Sequence, residues 1–215
     1  MYTGSLSGAD GGLSGTGQWV VAVDTPATDA QWSVPTVTWA VSQNADATWH
    51  YAYSINVSQS NIKYLILEAS GMLSKENIVN PTATAGTFAR VKVDNFDYGA
   101  IATPYLPQSV YGIKFARAGG LELAVEFDST FAPVWGDVYA RGANSGGMFN
   151  TVWNSGFGDS DPSEPAADGS IGNHVLVPGA LTIGGGEIPE PSTLLLIGIG
   201  SVAVFLRQRR LNALA

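Results

Sequence analysis

The sequence predicts an all-β fold, an antiparallel β-sandwich of jelly-roll-like type, followed by a single C-terminal hydrophobic helix. Three observations carry that expectation. Apolar and polar residues alternate with period two along several short stretches. Turn formers punctuate those stretches, with 26 Gly and 11 Pro among 215 residues. One uncharged apolar run, TLLLIGIGSVAVFL, stands apart near the end.

Residues 1–17 are rich in Gly and Ser and read as a flexible lead-in. They show neither the basic start nor the apolar run of a secretion leader. A β-sandwich domain is expected over residues 18–180. QWVVAVD is a short apolar run, and in WSVPTVTWAVS the β-branched and aromatic residues favour a strand, with Pro35 marking an edge or bend. The clearest strand lies within residues 47–57. Trp49, Tyr51, Tyr53, Ile55 and Val57 share one face, and His50, Ala52, Ser54 and Asn56 share the other. NIKYLILE, TFARVKV and SVYGIKFA follow as further strands. In LELAVEFDS, Leu121, Leu123, Val125 and Phe127 oppose Glu122, Ala124, Glu126 and Asp128. VWGDVYAR, MFNTVW and HVLV complete the series. SKENIV is expected to form one helical turn capped by Ser74. Residues 181–190 read as a Gly/Pro linker, and 191–215 as the hydrophobic helix with a basic end.

Composition narrows the chemistry. The net charge of −8 repels phosphate backbones, so no nucleic-acid partner is expected. Without cysteine there are no disulfides, thiolate metal sites or cysteine nucleophiles. His50 and His174 are far apart in sequence and lack zinc-motif spacing. Each is expected on the solvent face of a strand, and neither a metal nor a cofactor is predicted. No G-x-S-x-G occurs to support a serine hydrolase.

Three local patterns remain as candidate sites. DSDPSEPAADG offers Asp159, Asp161, Glu164 and Asp168 as calcium ligands, but its spacing departs from an EF-hand loop and a solvated acidic linker is the plainer reading. Trp135 and Trp153 border glycine-rich turns, where exposed indoles would stack on sugar rings as a glycan-binding surface. Glu122 and Glu126 share a strand face, the pattern a secreted glycoside hydrolase would need and also the pattern of any solvated strand. The expectation is a non-enzymatic protein, with a carbohydrate-binding module as the alternative and a glycoside hydrolase as the less favoured one.

The tail is the most informative stretch. Its apolar run of about 14 residues would span about 21 Å as a helix, against about 30 Å of hydrocarbon. The stems of Arg207, Arg209 and Arg210 extend that reach by snorkelling, and their charge holds the C-terminus on the cytoplasmic side. Pro189 and Pro191 force an extended, non-helical entry around Glu190. PEPSTLLLIGIGSVAVFLRQRR resembles the PEP-CTERM sorting signal of Gram-negative bacteria, which combines this triplet, a short apolar helix and a basic end. By that resemblance Pro189, Glu190 and Pro191 form the sorting motif and the three arginines the stop-transfer cluster. It also implies an exosortase-type membrane processing enzyme as partner, with extracellular polysaccharide as a further one. The location implied is the inner membrane, spanned once by the tail, then the cell surface. More loosely, YGIKF and APVWGDVYARGANSGGMFNTVWNSGFG resemble β-rich outer domains of the same family, which brings no activity with it.

Overall fold

The computed structural model describes residues 1–19 and 34–179. In chain order the first strands are β1 (Tyr2–Ser7), β2 (Leu13–Thr16), β3 (Thr36–Gln43), β4 (Trp49–Asn56) and β5 (Ile62–Glu68). They are followed by β6 (Val79–Thr87), β7 (Arg90–Phe96), β8 (Val110–Ala116) and β9 (Gly119–Ser129). The last are β10 (Pro133–Gly136), β11 (Val138–Ser145), β12 (Met148–Asn154) and β13 (Val175–Pro178). All pairings between these strands are antiparallel. Helical backbone among the described residues amounts to two 3-10 turns, Gly17–Trp19 and Lys75–Asn77.

The strands form a five-stranded sheet ordered β1-β3-β4-β9-β6 and a six-stranded sheet ordered β2-β12-β11-β5-β8-β7. A short ribbon pairs β10 with β13. The alternation read along β4 and β9 is what the five-stranded sheet uses: Tyr51, Tyr53, Ile55, Leu123, Val125 and Phe127 are buried while Ser54, Asn56 and Glu126 face outward. Leu121, expected on the inner side, is exposed at the start of β9. Phe127 stacks on Tyr51 with ring centroids 5.3 Å apart and meets Phe115 of the other sheet at 5.8 Å. One apolar core thus draws on both sheets, with Leu65, Leu67, Ile113 and Phe115 on the six-stranded side.

The six-stranded sheet departs from simple alternation. In β5, Tyr64 and Ile66 are buried as well as Leu65 and Leu67. The reason is the chain between β7 and β8, which covers the outer face there. Tyr64 Oη donates to Ala102 O at 2.6 Å and Tyr139 Oη to Pro104 O at 2.5 Å. Leu106 completes a second apolar cluster with Phe96 and Phe157.

Two expectations about local structure need correction. Residues 1–17, expected as a flexible lead-in, supply β1 and β2, and β1 pairs along its whole length with β3. Small residues earn their place here through sterics: a Cβ on Gly4 would lie 2.1 Å from Trp39 Cζ2. VWGDVYAR, expected as one strand, is divided at Asp137, where the chain leaves the β10–β13 ribbon and joins β5 and β12. The helical turn at SKENIV is a 3-10 turn, and Ser74 donates from N and Oγ to Asn77 Oδ1 at 2.8 and 2.9 Å. Most of QWVVAVD, the linker and the expected C-terminal helix lie outside the described residues. Among the described residues no helix is long and apolar enough to cross a membrane.

Candidate functional site: a buried carboxylate and imidazole cluster

The division of β10 from β11 positions the most unusual chemistry of the domain. At the joint, both backbone groups of Asp137 bond to Glu68 at the end of β5, one to its backbone and one to its side chain. Glu68 N donates to Asp137 O at 2.8 Å, and Asp137 N donates to Glu68 Oε2 at 2.9 Å. The Asp137 side chain then points inward, only 1% exposed. Asn154, at the end of β12 and wholly buried, orients it: Nδ2 donates to Asp137 Oδ1 at 2.7 Å while Oδ1 accepts from Val138 N at 2.8 Å.

His174 enters from the opposite side, immediately before β13, and is 2% exposed. Its Nδ1 lies 3.2 Å from Ile171 O, and its backbone N donates to the same carbonyl at 2.9 Å. A carbonyl only accepts, so Nδ1 carries a proton, and the neutral tautomer compatible with this bond is the one whose Nε2 presents a lone pair. Nε2 stands 3.6 Å from Asp137 Oδ1 and 3.7 Å from Asp161 Oδ1, and it has no hydrogen-bond partner. Both separations are too long for a hydrogen bond. Asp161 arrives from the acidic stretch after β12 and remains half-exposed, forming the rim. Gly156 packs against the ring, where a Cβ would come 2.8 Å from His174 Cε1.

The electrostatics are one-sided. Among the described residues no Lys or Arg forms an ion pair with Glu68, Asp137 or Asp161. Burial pushes the Glu68 carboxyl up to about 8, helped by the charges of Asp161 and Asp137. Burial also raises Asp137 and Asp161 above the usual aspartate range.

The residues singled out from the sequence are dispersed. Of the acidic candidates only Asp161 joins the cluster. Asp168 Oδ1 instead accepts from Thr3 N at 2.8 Å, fastening the acidic stretch to β1, while Asp159 and Glu164 are exposed. Trp135, expected to be exposed for glycan stacking, is buried at 1% because β10 packs it into the core. Trp153 is half-buried against the second apolar cluster, so the two do not make a shared platform. His174, expected on a solvent face, is buried, whereas His50 meets that expectation and pairs its Nδ1 with Asp128 Oδ1 at 2.9 Å. Glu122 and Glu126 lie on the outer face of β9. Pro189, Glu190, Pro191, Arg207, Arg209 and Arg210 lie outside the described residues. Sequence reasoning missed Asp137, Glu68 and His174 as a group. The available signal was Asp137 itself, an acid inside an apolar strand run.

A second feature is an open cleft of about 320 Å3 beside β7 and β8, lined by Arg90, Lys92, Phe96, Asp97 and Lys114. Lys114 Nζ sits 3.5 Å above the Tyr64 ring. Burial, together with Arg141 and Lys92, lowers its ammonium to about 8. In so acidic a chain this is a local concentration of positive charge.

Compared with known proteins, the chain carries the PEP-CTERM protein-sorting motif at residues 187–210. That motif supports an exported protein processed by an exosortase. No curated protein and no solved structure matches the chain.

Proposed function

We propose that this chain, addressed by its PEP-CTERM motif, is a non-enzymatic envelope protein. Its two-sheet domain is displayed outside the inner membrane as a β-sandwich, and its tail is a transient single-pass anchor with the C-terminus in the cytoplasm. The sorting motif at residues 187–210 carries this reading. The physics of the tail supports it: an uncharged apolar run ends in Arg207, Arg209 and Arg210, the arrangement that keeps a segment's basic end in the cytoplasm. Processing by an exosortase then frees the domain for the cell surface or the surrounding matrix.

The test is mass spectrometry of the mature C-terminus from cells that make an exosortase. The expected result is a chain ending near Glu190, and replacement of Pro189, Glu190 and Pro191 by alanine should leave a folded, unprocessed, membrane-held protein. An intact Ala215 terminus on the mature protein, or unchanged processing of the alanine variant, overturns the assignment.

A second reading, binding of extracellular polysaccharide, is favoured by the cationic cleft rather than by the tryptophans. Arg90, Lys92 and Lys114 beside the Phe96 and Tyr64 rings suit an acidic sugar. Retention on an immobilised uronic-acid polymer, lost in Lys114→Ala and Arg90→Ala, would support it, and equal retention of both variants would end it.

A further inference from the structure

We infer that Asp137, Asp161 and His174 form a binding site for a divalent transition cation of the zinc class, which clasps the acidic stretch after β12 onto the sheet. Two independent observations meet here. The first is the donor set: one imidazole nitrogen and two carboxylate oxygens, all within 4.8 Å of one another. The second is the state of the imidazole. His174 is only 2% exposed, and its Nε2 has no hydrogen-bond partner while standing 3.6 and 3.7 Å from the two carboxylates. A buried nitrogen left without a partner costs free energy unless something occupies the space in front of it.

The geometry suits a small cation. Tetrahedral zinc with bonds of about 2.0–2.2 Å separates its ligand atoms by about 3.3–3.6 Å. The separations of 3.6 and 3.7 Å from Nε2 to the two carboxylates are that spacing slightly opened. Asp161, on the exposed rim, is the ligand able to close the remainder, and it leaves an entry path from solvent. Calcium and magnesium fit less well, since calcium seeks six to eight oxygens and magnesium a nearly regular oxygen octahedron.

The surroundings are those of a metal site. His174 gives its Nδ1 proton to a backbone carbonyl, which fixes the tautomer that ligates through Nε2. Asn154 holds Asp137 by a 2.7 Å hydrogen bond. Asp137 and Asp161 stand beside the His174 ring without a Lys or Arg partner among the described residues, and a dication would neutralise their charge. The ligands come from three separate segments: the β10–β11 joint, the acidic stretch and the approach to β13. Joining them would close that stretch as a loop in the folded chain. This inference stands apart from the sorting assignment, because it concerns residues that the tail does not include.

The experiment is calorimetric titration of ZnCl2 into the full chain in detergent after EDTA treatment and dialysis, with thermal unfolding in parallel. One equivalent should bind with a micromolar or tighter Kd, and Tm should rise by about 5–10 °C when free zinc exceeds Kd a hundredfold. Asp161→Asn, on the rim and expected to fold, should weaken binding at least tenfold. His174→Gln should abolish it, and if that variant does not fold, Asp161→Asn decides alone. His50→Ala should bind as the parent does. The inference is overturned by absence of a stoichiometric zinc response, by an unchanged Kd in Asp161→Asn, by loss of binding in His50→Ala, or by a response to CaCl2 without one to ZnCl2.

Discussion

Asn154→Ala is the sharpest probe of how the β10–β11 joint is held. Asn154 has no exposed surface, and its amide serves two masters: it accepts from Val138 N at 2.8 Å and donates to Asp137 Oδ1 at 2.7 Å. Alanine removes both bonds and leaves both partners buried. An unsatisfied backbone N–H costs about 1–3 kcal/mol, and a lost bond to a charged group about 1.5–3 kcal/mol. The variant should therefore lose about 3–5 kcal/mol of stability, or about 6–20 °C in Tm for a chain of this size. Urea unfolding in EDTA, followed by tryptophan fluorescence and far-ultraviolet dichroism, measures it. The midpoint should fall with little change in slope. Asn95→Ala, an exposed position, should stay within about 0.5 kcal/mol of the parent. Asn154→Asp isolates the donor: it can still accept from Val138 N but sets a carboxylate against Asp137, so it should be no more stable than the alanine variant. A loss below about 1 kcal/mol in Asn154→Ala, or parental stability in Asn154→Asp, would refute the reasoning.

Phe127→Leu should cost about 2–3 kcal/mol, because the ring is buried, stacks on Tyr51 and Tyr53 at 5.3 and 6.2 Å and meets the tilted Phe115 ring at 5.8 Å; a midpoint within error of the parent would deny that this ring links the two sheets. Lys114 should titrate near 8 in an NMR experiment on isotope-labelled lysine side chains, below the ordinary lysine value of 10.5, and a midpoint above 10 would contradict its burial over Tyr64. Because the folded state releases this proton more readily than the unfolded state, stability should rise with pH between about 8 and 10.5. That increment should vanish in Lys114→Gln.

How far the fold was legible depends on how local each cause was. In β4 and β9 the alternation of apolar and polar residues is a property of neighbouring positions, and those strands formed where the pattern put them. β5 broke the pattern because residues 97–109 cover its outer face, a fact carried by a segment far along the chain. β1 was illegible for a related reason. YTGSLS has too little apolar surface to announce a strand, yet β3 supplies its full set of pairing partners. Trp135 was misplaced because glycine neighbours suggest a turn, whereas the pairing of β10 with β13 decides burial.

The sequence alone determined the all-β class, most strand positions, the absence of cysteine chemistry and the address carried by residues 187–210, each of which is written in contiguous residues. The tertiary structure alone decided that Asp137, Asp161 and His174 meet, that Asn154 and Glu68 hold the joint between them, and that a half-buried lysine overlooks Tyr64. Those side chains come from segments brought together only when two sheets close over one core. A single chain read along its length records the hydrophobic pressure that drives the closure, but not which polar groups are carried inside with it.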